Sequence, residues 1–194
     1  MARLEPKFAS RMTGKLWLAH EYGKVYAIEQ MRTGEKRLRI AVSDNGSQIL
    51  QALSRSVKEP FFFLYVLVIF RGGGQTGRYQ SNELSHGELE AMFDRYGEFW
   101  ESDGRHSVWL RSQADDATLV YDRHNLIYAY GPVDRFELIL ETLGYTEVPK
   151  VSLSFEHQHC YYAEFDHLEQ ELTTTFGEGR SDLHPGDENP FDEQ

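Results

Sequence analysis

Apolar positions change their period several times along this chain, and each change predicts an element. Leu38, Ile40 and Val42 alternate through Arg37–Val42, the two-residue period of a half-buried strand, and Lys24–Glu29 reads KVYAIE, a second strand-like run. Arg32-Thr33-Gly34-Glu35 between them has turn chemistry, so the pair predicts a hairpin, closed by Asp44-Asn45-Gly46. Ile49, Leu50, Leu53 and Val57 then share one helical face, with the Ser47 hydroxyl as the expected cap and Pro60 as the stop. The run Phe61–Phe70, FFFLYVLVIF, has no polar alternation and predicts a strand buried on both faces.

A glycine-rich loop, Arg71–Gly77, follows, and Ser85-His86-Gly87-Glu88 has the spacing of a capping box. Leu89, Met92, Phe93, Tyr96 and Trp100 continue it as a helix that ends near Gly104. Ser107–Arg111, Thr118–Asp122 and Leu126–Tyr130 predict a three-stranded meander, turning at Gln113–Asp116 and at Arg123-His124-Asn125. Gly131-Pro132 opens a helix with Val133, Phe136, Ile139, Leu140 and Leu143 inward and Gly144 as its stop. Val151, Leu153 and Phe155 alternate as a last strand, and Phe165, Leu168, Leu172 and Phe176 mark a last helix. Hairpins and meanders without regular β-α-β alternation predict a single α+β domain over residues 1–176, a mainly antiparallel sheet with helices packed on it. The polar, acidic stretch 177–194 predicts a flexible tail.

Composition narrows the function classes. The 194 residues are 40% hydrophobic, enough for a packed core, and the formal net charge is −11. Charge is unevenly placed: residues 1–60 carry 11 Lys/Arg against 6 Asp/Glu, and residues 61–194 carry 9 against 25. So acidic a body argues against nucleic acid as a partner, although the basic first third could form a patch. Met1–Ser10 has no apolar stretch of a secretory leader, and the ten-residue run 61–70 is too short for a membrane helix. With Cys160 the only cysteine, a reducing, cytoplasmic setting is expected.

Four groups of residues carry candidate chemistry. Gly72 to Gly77 has the glycine spacing of a phosphate loop, but Arg78 and Tyr79 stand where Lys and Ser/Thr belong, so Arg71, Arg78 and Tyr79 are read as partner contacts. His157-Gln158-His159 on a strand would place two imidazoles on one face, a weak metal site because two ligands are too few. Asp103-Gly104-Arg105-His106 and Asp122-Arg123-His124-Asn125 lie at ends of the meander and could meet, an Asp–His pair there orienting an imidazole as a base; His124 is also a contact candidate. Ordinary turn chemistry explains the same residues. Strand tyrosines such as Tyr121, Tyr128 and Tyr130 suit core packing better than base stacking. No nucleophile elbow, H-E-x-x-H or paired-cysteine motif is present, so no catalytic residue and no cofactor is assigned.

The stretch Phe99–Gly131, FWESDGRHSVWLRSQADDATLVYDRHNLIYAYG, with PVDRFELILETLGY after it, resembles small acidic bacterial α+β proteins, a class that includes the immunity proteins of bacterial toxin systems. The resemblance covers about a third of the chain. The acidic surface, the aromatics and the absence of a catalytic signature point the same way, to a non-enzymatic interaction module, an immunity-type inhibitor or regulator, that steers onto a basic protein partner. Two alternatives stand beside it: a metal-dependent or acid/base hydrolase using the His157/His159 region, and a phosphometabolite-binding regulatory domain.

Overall fold

The apolar run after Pro60 becomes an inner strand of a nine-stranded sheet. In the computed structural model, which describes residues 7–11, 17–43, 45–153 and 156–187, the strands are β1 (Phe8–Ser10), β2 (Leu18–Ala19), β3 (Val25–Gln30), β4 (Lys36–Ala41), β5 (Phe61–Leu67), β6 (Gly77–Leu84), β7 (His106–Ser112), β8 (Ala117–Tyr121), β9 (Leu126–Tyr130), β10 (Thr146–Glu147), β11 (His157–His159) and β12 (Arg180–Ser181). The helices are α1 (Gly46–Ser54), α2 (His86–Ser102), α3 (Val133–Thr142) and α4 (Asp166–Thr175). The large sheet runs β10-β3-β4-β9-β8-β7-β5-β6-β12 and is antiparallel except where β10 joins β3; a small second sheet runs β11-β1-β2. The chain is an α+β domain of the expected class. Among the described residues, no helix is long and apolar enough to cross a membrane.

Alternation places the helices. Leu38, Ile40, Phe61, Phe63, Val108, Leu110, Leu119 and Ile127 project from one face of the large sheet and share a core with Leu50 and Leu53 of α1, Phe93 and Trp100 of α2, Phe136 and Leu140 of α3, and Leu168 and Leu172 of α4. Burial of this kind contributes about 25 cal/mol per Å² of apolar surface removed from water. The opposite face holds a smaller cluster of Ala27, Ala41, Val120, Leu126, Tyr128 and Val151. The capping box forms as expected, with Glu88 N donating to Ser85 Oγ and Ser85 N donating to Glu88 Oε2.

Several expectations are corrected. Ser47 lies inside α1 rather than at its cap, and its N–H and hydroxyl both donate to Glu101 Oε1, at 3.0 and 2.9 Å, so that a carboxylate from α2 closes this helix N-terminus. The run 61–70 leaves the sheet at Leu67, and Ile69 and Phe70 are exposed. Strand β6 is an addition: GRYQSNEL has almost no apolar alternation, but its Ser81 hydroxyl accepts from Phe63 N at 2.9 Å, where the β5–β6 register shifts. Residues 151–153 are irregular, with Val151 buried, and the strand begins instead at His157. Asp44, Phe155 and residues 188–194 lie outside the described residues. The start of the expected tail lies against the sheet: Arg180–Ser181 pairs antiparallel with β6, and Asp187 pairs with Arg78 at 2.9 Å.

Candidate metal centre

The β8–β9 turn is held by one buried carboxylate. Asp122 Oδ1 accepts from the backbone N–H groups of His124 and Leu126, at 2.8 and 2.9 Å, and Asn125 takes a left-handed φ of 58°. The Tyr121 hydroxyl donates to Asn125 Oδ1 at 2.8 Å. So constrained, the turn presents His124 with its Nδ1 at 3.1 Å from Asp122 Oδ2. The expected Asp–His pair therefore forms within this turn. Asp103 and Arg105 lie at the same end of the meander; Arg105 bonds Asp103 and the α4 carboxylates Asp166 and Glu169, and Gly104 between them backs onto His159.

The small sheet brings the other two imidazoles. Strand β11 pairs antiparallel with β1, matching Phe8 with His159 and Ser10 with His157. Alternate strand residues share a face, so both rings turn the same way. They meet His124: ring centroids lie 5.1 Å apart for His124–His157, 5.0 Å for His124–His159 and 5.5 Å for His157–His159. One nitrogen from each ring lies within 4.8 Å of the other two. Around a tetrahedral ion with bonds of 2.0–2.1 Å, such nitrogens stand about 3.3 Å apart, so ring rotations that draw them together by up to about 1.5 Å would complete the set. Sequence reading kept His124 in a different group from His157 and His159; the β1–β11 pairing, which it missed, unites them.

Electrostatics favour a neutral His159 ring. Burial lowers the His159 pKa to about 2, with further contributions from Arg123, His124 and His157. The His159 Nδ1 is buried and has no hydrogen-bond partner among the described residues. Burial alone would raise the Asp122 pKa, yet the His124 imidazole, the Leu126 N–H and Lys7 outweigh it and leave the carboxyl below its usual range. A carboxylate behind Nδ1 fixes that nitrogen as the protonated one and leaves Nε2 of His124 for a ligand. Beside the cluster, His20 Nδ1 lies 2.8 Å from Ser10 Oγ, and burial followed by His157 lowers its pKa.

Gly104 closes the back of the site. Its N–H donates to Cys160 O at 2.9 Å while Cys160 N donates to Lys7 O at 2.8 Å. A Cβ at Gly104 would stand 2.7 Å from Lys7 O and 3.0 Å from His159 Nδ1. Lys7 is itself buried: its Nζ donates to Trp100 O near the end of α2 at 3.0 Å and sits 3.3 Å over the Tyr121 ring. Burial brings its pKa down to about 7.

The other candidates are engaged elsewhere. Arg71 pairs with Asp166 at 3.2 Å, Arg78 is half-covered by Asp187 and His184, and Tyr79 is 3% exposed with its hydroxyl on Gln75 O, which corrects its reading as a surface contact. The glycine-rich loop already holds an anion of its own: Glu169 accepts from Arg71 N and Gly72 N at 2.8–3.2 Å. That carboxylate also belongs to a buried network in which Arg105 binds Asp103 through two bonds of 2.8 Å, Glu169 at 2.6 Å and Asp166 at 3.0 Å. A phosphate therefore finds those two loop N–H groups taken. Comparison of the chain with protein-family models, curated proteins and solved structures finds no match.

Proposed function

We propose that this protein binds one transition-metal ion, Zn²⁺ by donor type, through His124, His157 and His159, and uses it to activate water for hydrolysis. The observation that carries the reading is the convergence of three ring nitrogens within 4.8 Å. Neutral imidazoles are what a borderline-soft divalent ion prefers, and a three-histidine set leaves a fourth position for water, the donor pattern of catalytic rather than structural zinc. Asp122 supplies the carboxylate that commonly orients a metal-bound histidine. The ion would act as Lewis acid, bringing the pKa of its water down to about 7.

The test is equilibrium dialysis against Zn²⁺ with elemental analysis, followed by chelator-sensitive hydrolysis of activated esters. One ion per chain, lost in the double variant His157→Ala, His159→Ala, is expected. Absence of stoichiometric metal sinks the reading, and a bound ion without chelator-sensitive turnover sinks its hydrolytic part.

The non-enzymatic interaction module expected from the immunity-protein resemblance is kept as the second reading. It is favoured by one observation, the exposed pair Ile69 and Phe70, 40% and 58% accessible, on the tip that follows β5. A basic protein partner would be captured in a salt-dependent complex that Phe70→Asp weakens. Both readings suit a cytoplasmic setting, which we infer from the single thiol, Cys160.

A further inference from the structure

We propose that Arg123, with Tyr161, holds an oxyanion against the metal ion, so that the centre takes an anionic substrate, a phosphoester or a carboxylate. This inference rests on the metal reading above. Its starting point is a contrast among the arginines. The other buried arginines among the described residues carry carboxylate partners: Arg105 has Asp103, Glu169 and Asp166, and Arg39 shares Glu29 with the partly buried Arg37. Arg123 is 7% exposed and, among the described residues, has no carboxylate within ion-pair distance. Its Nε is buried without a hydrogen-bond partner. Its neighbour Asp122 is committed to His124 and two backbone N–H groups.

A buried cation without a counterion costs free energy, and such a cost persists where a ligand supplies the missing charge. Place decides what that ligand meets. Arg123 immediately precedes His124 in the turn, and Tyr161 follows His159 by two residues. Arg123 Nη2 donates to the Tyr161 hydroxyl at 3.1 Å, joining the same two segments that the His124 and His159 rings join. Tyr161 is 38% exposed, so this pair reaches solvent on the two segments that carry His124 and His159. The Tyr161 oxygen accepts from arginine and keeps its own proton to donate. An oxyanion there would bind the ion with one oxygen and the arginine fork and tyrosine hydroxyl with others. The electrostatics agree: on a chain of net charge −11, the loaded centre and Arg123 form a local island of positive charge.

The experiment uses the full chain loaded with Co²⁺, whose visible spectrum reports the ligand set. Inorganic phosphate and, separately, acetate are titrated into the wild type, Arg123→Met, Arg123→Lys and Tyr161→Phe. Saturable spectral change in the wild type is expected, with R123M weakening it roughly 10- to 100-fold, the range of a charge-assisted contact. The cobalt spectrum of the variant before anion is added should match the wild type. R123K keeps the charge and loses the fork, so it guards against a folding failure of R123M; its anion affinity should also fall. A response to phosphate alone assigns a phosphoester, and a response to acetate alone assigns a carboxylate. Cobalt bound normally with no anion response, or with equal affinity in R123M, R123K and the wild type, overturns the inference and leaves the metal centre standing. Failure of the wild type to bind cobalt overturns the centre itself.

Discussion

Replacing Asp122 by asparagine changes one atom and reverses one polarity. Oδ1 keeps its bonds from His124 N and Leu126 N, at 2.8 and 2.9 Å, so the turn retains its shape. The other branch becomes an NH₂ group 3.1 Å from His124 Nδ1. A donor there cannot accept from Nδ1–H, so the imidazole shifts its proton to Nε2, the nitrogen left to ligate an ion. Recovering the ligating tautomer costs the lost hydrogen bond. Losing the carboxylate that orients a metal-bound histidine weakens metal binding about 10- to 100-fold, or about 1.4–2.7 kcal/mol. The apo fold should lose about 1–3 kcal/mol as well, because the hydrogen-bonded, charged form of Asp122 is favoured in the native state. Competition against a chromophoric zinc chelator at pH 7.5 measures the first quantity, and urea unfolding with chelator present measures the second. Zinc affinity equal to wild type in D122N, with affinity abolished in His124→Ala, would refute the orienting role of the carboxylate.

Three further outcomes follow from the geometry. Arg105→Met strands the buried carboxylates of Asp103 and Glu169, and should cost about 3–5 kcal/mol in urea unfolding; a loss below 1 kcal/mol would contradict the network. Apo stability should fall on acidification: the His159 pKa is about 2 in the fold and near 6.5 unfolded, so between these values the unfolded chain binds the extra proton, and one such group gives about 1.4 kcal/mol per pH unit. The slope should flatten by that amount in His159→Gln. Gly104→Ala must push Lys7 O or His159 away from contacts of 2.7 and 3.0 Å, so both thermal stability and zinc affinity should drop together; an unchanged zinc affinity would show that Gly104 does not set the position of His159.

Legibility in the sequence followed physical strength of signal. The β3–β4 hairpin, the β7–β8–β9 meander, α2 with its capping box and α3 all follow from period and turn chemistry, because each is built from local contacts. Strand β6 escaped because its burial comes from neighbours rather than apolar residues, and β12 because only the sheet edge makes two residues of a polar tail extend. The same division runs through the site. The Asp122–His124 pair is local and readable, and His157 and His159 are readable as two rings on one face of a strand. Their meeting depends on β1, three residues whose pairing partner lies some 150 positions away, and no periodicity in FAS announces that.

That dependence has a consequence for how metal and fold are coupled. His124 belongs to the large sheet through β8 and β9, whereas His157 and His159 belong to the small one through β11 and β1. Between the two, the described contacts include Cys160 with Lys7 and Gly104, Lys7 with Trp100, and Arg123 with Tyr161. An ion bound by all three histidines would add coordinate bonds across that junction, so its binding energy would stabilise the attachment of the small sheet. By mass action, zinc at 100 times its dissociation constant adds about 2.7 kcal/mol, which for a chain of this length raises the melting temperature by about 5–11 °C. Amide exchange should report where the gain falls. Zinc should slow exchange in Phe8–Ser10 and His157–Cys160 far more than in the inner strands β5 and β7, whose protection already reflects global unfolding. Equal slowing everywhere would mean that the two sheets open as one unit, and slowing confined to β8 and β9 would mean that the ion does not reach His157 and His159.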